Sequence, residues 1–143
     1  MLKATEVFNQ WAQVGKDKGM EKNHAQSVED MINFALKEKY SIGKDFNFLD
    51  LGCGNGWVVR KIADEKLCYE SIGVDGADQM IKNARKKDTI NTYILTDINS
   101  YQPKKKFDLI HSMEVLYYLD NPKKVIEDIY KSWIQTNGRL IIG

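Results

Sequence analysis

Phe48-Leu49-Asp50-Leu51-Gly52-Cys53-Gly54-Asn55-Gly56-Trp57 is the most informative stretch of the chain. An apolar run leads straight into G-x-G-x-G, and an amphipathic segment carrying Trp57, Val58, Val59, Ile62 and Ala63 follows. A strand that ends in closely spaced glycines and turns into a helix makes a ligand cradle. Glycine lets the backbone turn with positive φ and lets a ligand lie against bare main chain. The helix beyond offers unpaired N–H groups and a positive dipole end to negative groups.

On either side of this stretch, short apolar runs alternate with amphipathic ones. Phe46 to Leu51 lacks clean alternation, as expected for a strand buried on both faces. Ser71-Ile72-Gly73-Val74-Asp75, Tyr93-Ile94-Leu95, Phe107-Asp108-Leu109-Ile110-His111 and Arg139-Leu140-Ile141-Ile142 read as four further strands. Between them, a helix opens near Asp78 and bears Met80, Ile81 and Ala84. Another begins at Asn121-Pro122, with proline at its favoured first position. Its apolar set is Val125, Ile126, Ile129, Tyr130, Trp133 and Ile134, and Asn137-Gly138 is read as its end. Upstream, Val7, Phe8, Trp11 and Val14 share a helical face. Residues 15–22 read as a glycine- and charge-rich loop. Asn23 and Gln26 stand at capping-box spacing before a helix that stops near Tyr40, ahead of Gly43.

Strands that alternate with helices specify an α/β, doubly wound parallel sheet, Rossmann-like, of order 3-2-1-4-5, with N-terminal helices. Ligands of such sheets bind beyond the carboxyl ends of the strands, where strand order reverses. The glycine loop and the segment after strand four therefore face one crevice. Residues 1–45 are read as a helical lid or cap and 46–143 as the core of the same domain. The chain ends on strand five, which leaves an apolar edge. That reads as a fragment truncated after strand five, or as an edge covered by another chain, so self-association through it stays open.

Composition narrows the function. The 143 residues argue for one domain, and 43% hydrophobic content can bury a core. A net charge of +1 gives no field toward nucleic acid or an anionic membrane. No apolar run approaches the ~20 residues that span a bilayer, and no secretion signal is visible. Cys53 and Cys68 show no zinc spacing, so no metal is expected. A reduced, cytoplasmic setting is the simplest reading.

The glycine pattern fits two ligand classes. A dinucleotide loop wants G-x-G-x-x-G, and Trp57 stands where its third glycine would fall. Asp75, closing strand two before Gly76, is placed to accept from ribose hydroxyls. Asp97 after strand three is placed to accept from an exocyclic amine, with Ile98 on the ring face. The same aspartate also suits a turn. Met80 reads as core or as a wall of the ligand site.

With Phe107-Asp108-Leu109-Ile110-His111-Ser112-Met113-Glu114-Val115-Leu116-Tyr117-Tyr118-Leu119 added, residues 46–143 resemble the class I S-adenosylmethionine-dependent methyltransferases, in particular their small-molecule branch. The region after strand four lacks the Asn/Asp-Pro-Pro-aromatic signature of the nucleic-acid amino-methylating enzymes. The resemblance implies S-adenosylmethionine as cofactor, S-adenosylhomocysteine as product and a small-molecule methyl acceptor, with no nucleic-acid or membrane partner. It implies that Gly52, Gly54 and Gly56 lie under the methionine moiety and ribose, with Asp50 and Cys53 beside them as further cofactor-binding residues. Asp75 and Gly76 would take the ribose, Asp97 and Ile98 the adenine, and Met80 would pack nearby. His111, Ser112 and Met113 would line the methyl-transfer crevice. The family's later strands are absent here.

Candidate acid–base groups are His24, His111, Glu114 and Tyr117, of which His111 at a strand end is the catalytic candidate. Transfer from a sulfonium is an in-line displacement for which positioning suffices. Trp11 and Lys16 are lid candidates that also read as core and as solvated surface. Lys104-Lys105-Lys106 and Arg85-Lys86-Lys87 read as a solvated loop and a helix end. A non-catalytic S-adenosylmethionine-binding module and an NAD-dependent oxidoreductase domain stand as alternatives.

Overall fold

The computed structural model describes residues 3–143. Its elements are α1 (Ala4–Gln13), α2 (Asp17–Ile42), β1 (Phe46–Leu51), α3 (Trp57–Ala63), β2 (Cys68–Asp75), α4 (Asp78–Lys87), β3 (Thr92–Leu95), β4 (Phe107–Ser112), α5 (Pro122–Asp128) and β5 (Ile134–Ile142). The five strands are parallel and run in the order β3-β2-β1-β4-β5, as the alternation of elements requires.

Every residue of β1 is buried, which explains its unbroken apolar character. Phe46 and Phe48 face α2 and α3, packing with Val28, Ile32, Val58, Ile62 and Leu109. Leu49 and Leu51 face the other way, onto Ile110, Val125, Ile129 and Trp133. Each such side chain contributes about 1.5–3 kcal/mol by leaving water, so the register of the central strands is strongly set. One consequence is that Asp50 of β1 stands directly opposite His111 of β4. At the other end of this strand pair, Asn47 bridges the chain: its Nδ2 donates to the Lys106 carbonyl at 2.9 Å and its Oδ1 accepts from Asp108 N at 2.8 Å.

Two stretches depart from the sequence reading. The loop expected at 15–22 is confined to a turn around Gly15, whose φ is 77°. Helix α2 starts at Asp17 and runs unbroken past Asn23, so Asn23 caps nothing. Burial explains the difference: Asp17 is buried, and Met20 packs against Ala12, Ala77 and Met80, so tertiary contact outweighs the helix cost of Gly19. The second stretch follows α5. That helix gives way to a π-helical turn over Ile129–Trp133, and the chain is extended from Ile134. The wider turn lets Ile129 and Trp133 both enter the core. Asn137 (φ 62°) and Gly138 then form an irregularity within β5 and not a helix end.

No helix among the described residues is long and apolar enough to cross a membrane.

Candidate functional site

The loop after β1 is held from several sides. Gly52 N and Cys53 N donate to the Val74 carbonyl at 2.8 and 3.0 Å, tying the loop to β2. Gly52 has φ 74°, and a Cβ there would lie 2.2 Å from Val115 Cγ2. Gly56, with φ 81°, precedes α3, and a Cβ there would lie 2.5 Å from the Tyr93 ring. Neither place admits a side chain. Between them, Asn55 Oδ1 accepts from Trp57 N at 3.2 Å, and Asn55 Nδ2 donates to Asp17 Oδ2 at 3.0 Å.

Two cavities meet at Gly52. The larger, about 440 Å³, is walled by Gly52, Asp75, Gly76, Asp97, Ile98 and Val115, with Thr5 and Phe8 of α1 across from them. Asp75 Oδ2 accepts from Gly54 N at 2.9 Å and Oδ1 from Ala77 N at 2.8 Å. Burial raises this carboxyl above its ordinary 3.8, against the lowering effect of those N–H donors. Asp97 Oδ1 accepts from both the backbone and the side chain of Asn99 at 2.9 Å, so it shapes the turn as well as facing the cavity.

The smaller cavity, about 60 Å³, is walled by Asp50, Cys53, Gly54, Met80, His111 and Met113, and by Asp17, Met20 and His24 of α2. His111 Nδ1 lies 2.7 Å from Asp50 Oδ1, and both residues are buried. His111 Nε2 is buried with no hydrogen-bond partner among the described residues. Burial, reinforced by the charges of Asp75 and Asp50, pushes the Cys53 thiol well up, so it fills space and is no nucleophile.

Of the residues expected at the site, Asp50, Gly52, Cys53, Gly54, Asp75, Gly76, Met80, Asp97, Ile98, His111 and Met113 line these two cavities. Gly56 shapes the loop from behind. Ser112 lines neither, because its hydroxyl donates to the Leu51 carbonyl at 3.2 Å inside the sheet. Trp11 stacks edge-on against Phe8, with ring centroids 5.6 Å apart, and Lys16 precedes α2 in solvent; neither lines a cavity. At the rim, Glu114 Oε2 accepts from Tyr117 Oη at 3.3 Å and lies 4.0 Å from His24 Nε2. The hydrogen bond with Tyr118 and partial burial raise the Tyr117 hydroxyl, which makes it a poor base. Lys105 pairs with Glu70 at 2.7 Å, at the far end of the strands. Among the described residues, no cluster of three or more His, Cys, Asp or Glu is placed to hold a metal ion.

Sequence reasoning missed Asp17, Met20, Asn99 and Val115. Asp17 carried a signal, an acidic residue in the first turn of a helix, but the flanking glycines hid it.

A parallel sheet with a glycine loop and an acidic residue closing β2 on a shared cavity defines a nucleoside-binding α/β domain. A methyltransferase-domain family profile matches residues 49–142, and the chain belongs to that family, within the class I S-adenosylmethionine-dependent methyltransferases. Malonyl-(acyl-carrier protein) O-methyltransferase 2 of Ilyobacter polytropus is 33% identical over 105 residues, covering 68% of this chain and 39% of that protein. A putative methyltransferase in complex with the Haloferax volcanii Trm112 activator superposes with TM-score 0.78 at 26% identity, over 93% of this chain and 57% of that one. NodS, an N-methyltransferase from Bradyrhizobium japonicum in complex with S-adenosyl-L-homocysteine, gives TM-score 0.64 at 27% identity, over 80% of this chain and 60% of that one. The chain spans less than half the length of the Ilyobacter relatives it matches, 39% and 45%.

Proposed function

We propose that this domain binds S-adenosylmethionine across the two cavities and serves methyl transfer to a small-molecule acceptor, with S-adenosylhomocysteine as product. The observation that carries this reading is the meeting of β1 and β2 at one place. The Asp75 carboxylate reaches Gly54 N at 2.9 Å, and Gly52 walls both cavities. The residues fit the cofactor. In the larger cavity, the Asp75 carboxylate accepts from a ribose diol, while Ile98 and Val115 offer apolar faces to adenine and Asp97 an acceptor to its amine. The smaller cavity takes the amino-acid tail, and Gly52 leaves the main chain bare where the two halves join.

When bound, the cofactor supplies a methyl group activated by its sulfonium. The chain's part is to position and desolvate. Val115 packs over Gly52, and Phe8 of α1 meets Tyr118 edge-on at 5.3 Å, so apolar side chains close the crevice against water. The names of the relatives point to oxygen and to nitrogen acceptors, and both classes belong in an acceptor panel.

Calorimetry tests the reading: S-adenosylmethionine and S-adenosylhomocysteine should each bind with a Kd on the order of micromolar, about −8 kcal/mol. Absence of heat and of a thermal shift with either, on folded protein, overturns it. A domain that binds both and methylates nothing in the panel is a cofactor-binding module.

A further inference from the structure

Glu114 has a conformation that the cofactor reading leaves unexplained. Its φ is 51°, in the left-handed region that a residue with a side chain occupies only at a cost. The turn is held from the end of the sheet, where Glu114 N donates to the Gly143 carbonyl at 2.8 Å. Glu114 follows Met113, which walls the smaller cavity, and precedes Val115, which walls the larger. The strained residue therefore falls where the two cavities meet. Its own side chain lines neither, and its carboxylate is open to solvent at 53% exposure.

The carboxylate stands in an aromatic corner. A short 3-10 turn over Leu116–Tyr118 brings two tyrosines back beside it. Tyr117 Oη donates to Glu114 Oε2 at 3.3 Å, and the Tyr117 and Tyr118 rings lie 4.3 Å apart between centroids, inclined by 39°. Both rings are exposed, and Tyr118 also walls the larger cavity. From α2, His24 Nε2 lies 4.0 Å from the same carboxylate oxygen, and His24 walls the smaller cavity. An open carboxylate beside two open phenol rings is complementary to a cation with N–H donors: the carboxylate accepts the hydrogen bond, and the ring faces attract the charge. The field at the mouth has the same sense. Asp17, Asp50, Asp75, Asp97 and Asp120 line the two cavities, against Lys3 as the one lysine or arginine among the described residues that does. Such a field draws a cation in and opposes an anion.

Resting on the cofactor reading above, we propose that Glu114, Tyr117 and Tyr118 form the subsite for the methyl acceptor, and that this acceptor is an amine. The carboxylate takes an N–H of the nitrogen, and the rings take its charge and the carbon frame next to it. The strain at Glu114 turns the carboxylate out to the place where the cavities join. The amine reacts as the free base, after its ammonium form has given one proton to water at the rim. Its lone pair forms the bond to the methyl carbon while the carbon–sulfur bond breaks onto sulfur, so the positive charge passes from sulfonium to ammonium.

Three probes with one ring and different charge test this: benzylamine, benzyl alcohol and benzoate, titrated at neutral pH into the chain saturated with S-adenosylhomocysteine and followed by amide and tyrosine-ring NMR. Benzylamine should bind with a Kd on the order of millimolar and move the signals of Glu114, Tyr117 and Tyr118. It should bind about 10-fold more tightly than benzyl alcohol, within the range for a hydrogen bond to a charged group, and benzoate should bind most weakly. The readout is the ratio of benzylamine to benzyl alcohol affinity, which a general loss of structure does not create. Glu114→Gln, which keeps the shape and removes the charge, should bring that ratio close to one, and Tyr117→Leu should lower it in part. Equal binding of the three probes, a preference for benzoate, no benzylamine binding, or a preference that survives Glu114→Gln overturns the inference and leaves the cofactor reading standing. Failure of S-adenosylhomocysteine itself to bind takes down both. Should a variant not fold, the ratio and the shifted signals in the unaltered chain decide.

Discussion

The Asp75 carboxylate serves the loop and the ligand with the same two oxygens. It accepts from Gly54 N and Ala77 N, and it faces the larger cavity. Burial raises its pKa above the ordinary 3.8, so the folded chain holds this proton more tightly than the unfolded chain does. The stability it contributes is therefore fully present below 3.8 and declines as pH rises through the folded value. Cofactor binding should run the other way, since the ionised form is the better acceptor for a ribose diol. Calorimetry with S-adenosylhomocysteine at rising pH, from about pH 4 to 7, should show affinity increasing in the unaltered chain. In Asp75→Asn that dependence should flatten. At neutral pH, Asp75→Ala should weaken binding by about 1–3 kcal/mol through loss of charge-assisted bonds. Unchanged affinity in Asp75→Ala would remove Asp75 from the ribose site.

Elements carry the next level of control, and the turn joining α4 to β3 is a case. Burial pushes the Asp88 carboxyl up, but donors from Tyr93, from the Asn91 side chain and from the backbone of Asn91 and Ile90 outweigh it, holding the pKa to about 2. Tyr93 Oη donates to Asp88 at 2.7 Å, and the same ring lies under Gly56. Asp88 thus steadies the floor of the glycine loop from a distance. A depressed carboxyl pKa contributes stability above the ordinary 3.8, and that contribution is lost as pH falls through about 2. Asp88→Ala should lower stability to urea by on the order of 1–2 kcal/mol at pH 7, and the difference should close near pH 2. A gap that persists at low pH would assign the effect to packing instead. The order of elements was legible because period and glycine placement are local signals. Boundaries were not legible where distant packing set them: Met20 and Asp17 draw residues 17–22 into α2, and Trp133 widens the turn after α5. At the site, the residues at strand ends could be read from the strands. Asp17 and Asn99 could not, because their places depend on which turn or helix end packs over the loop.

At the scale of the whole molecule, the crevice has a sheet-derived wall and a helical one, and they differ in how they are held. The β1 and β4 wall is paired on both sides and buried in two clusters. Helix α1 rests on α4 through Ala12, against Ala77 and Met80, and on a hydrogen bond from Gln79 N to Asn9 Oδ1 at 2.9 Å. Its Thr5 methyl would lie 2.9 Å from a Cβ at Gly76, and Phe8 closes on Tyr118. A helix of 10 residues gains little from its own hydrogen bonds and depends on such contacts. It is therefore the wall whose local opening is easiest, and it stands over the larger cavity. A ligand filling that cavity adds surface against Thr5 and Phe8, and raises the free energy of any opening that releases it by RT ln(1 + [L]/Kd), about 2.7 kcal/mol at a hundredfold excess over Kd. Amide exchange in 4–13 should accordingly slow by about a hundredfold when S-adenosylhomocysteine is added. Exchange in β1 and β4, which are buried and open only with the whole fold, should slow by the same factor from a far slower starting rate, because global unfolding releases the ligand too. Equal protection of both walls before ligand is added would mean that α1 opens only with the whole fold, and no slowing in α1 would place the ligand elsewhere.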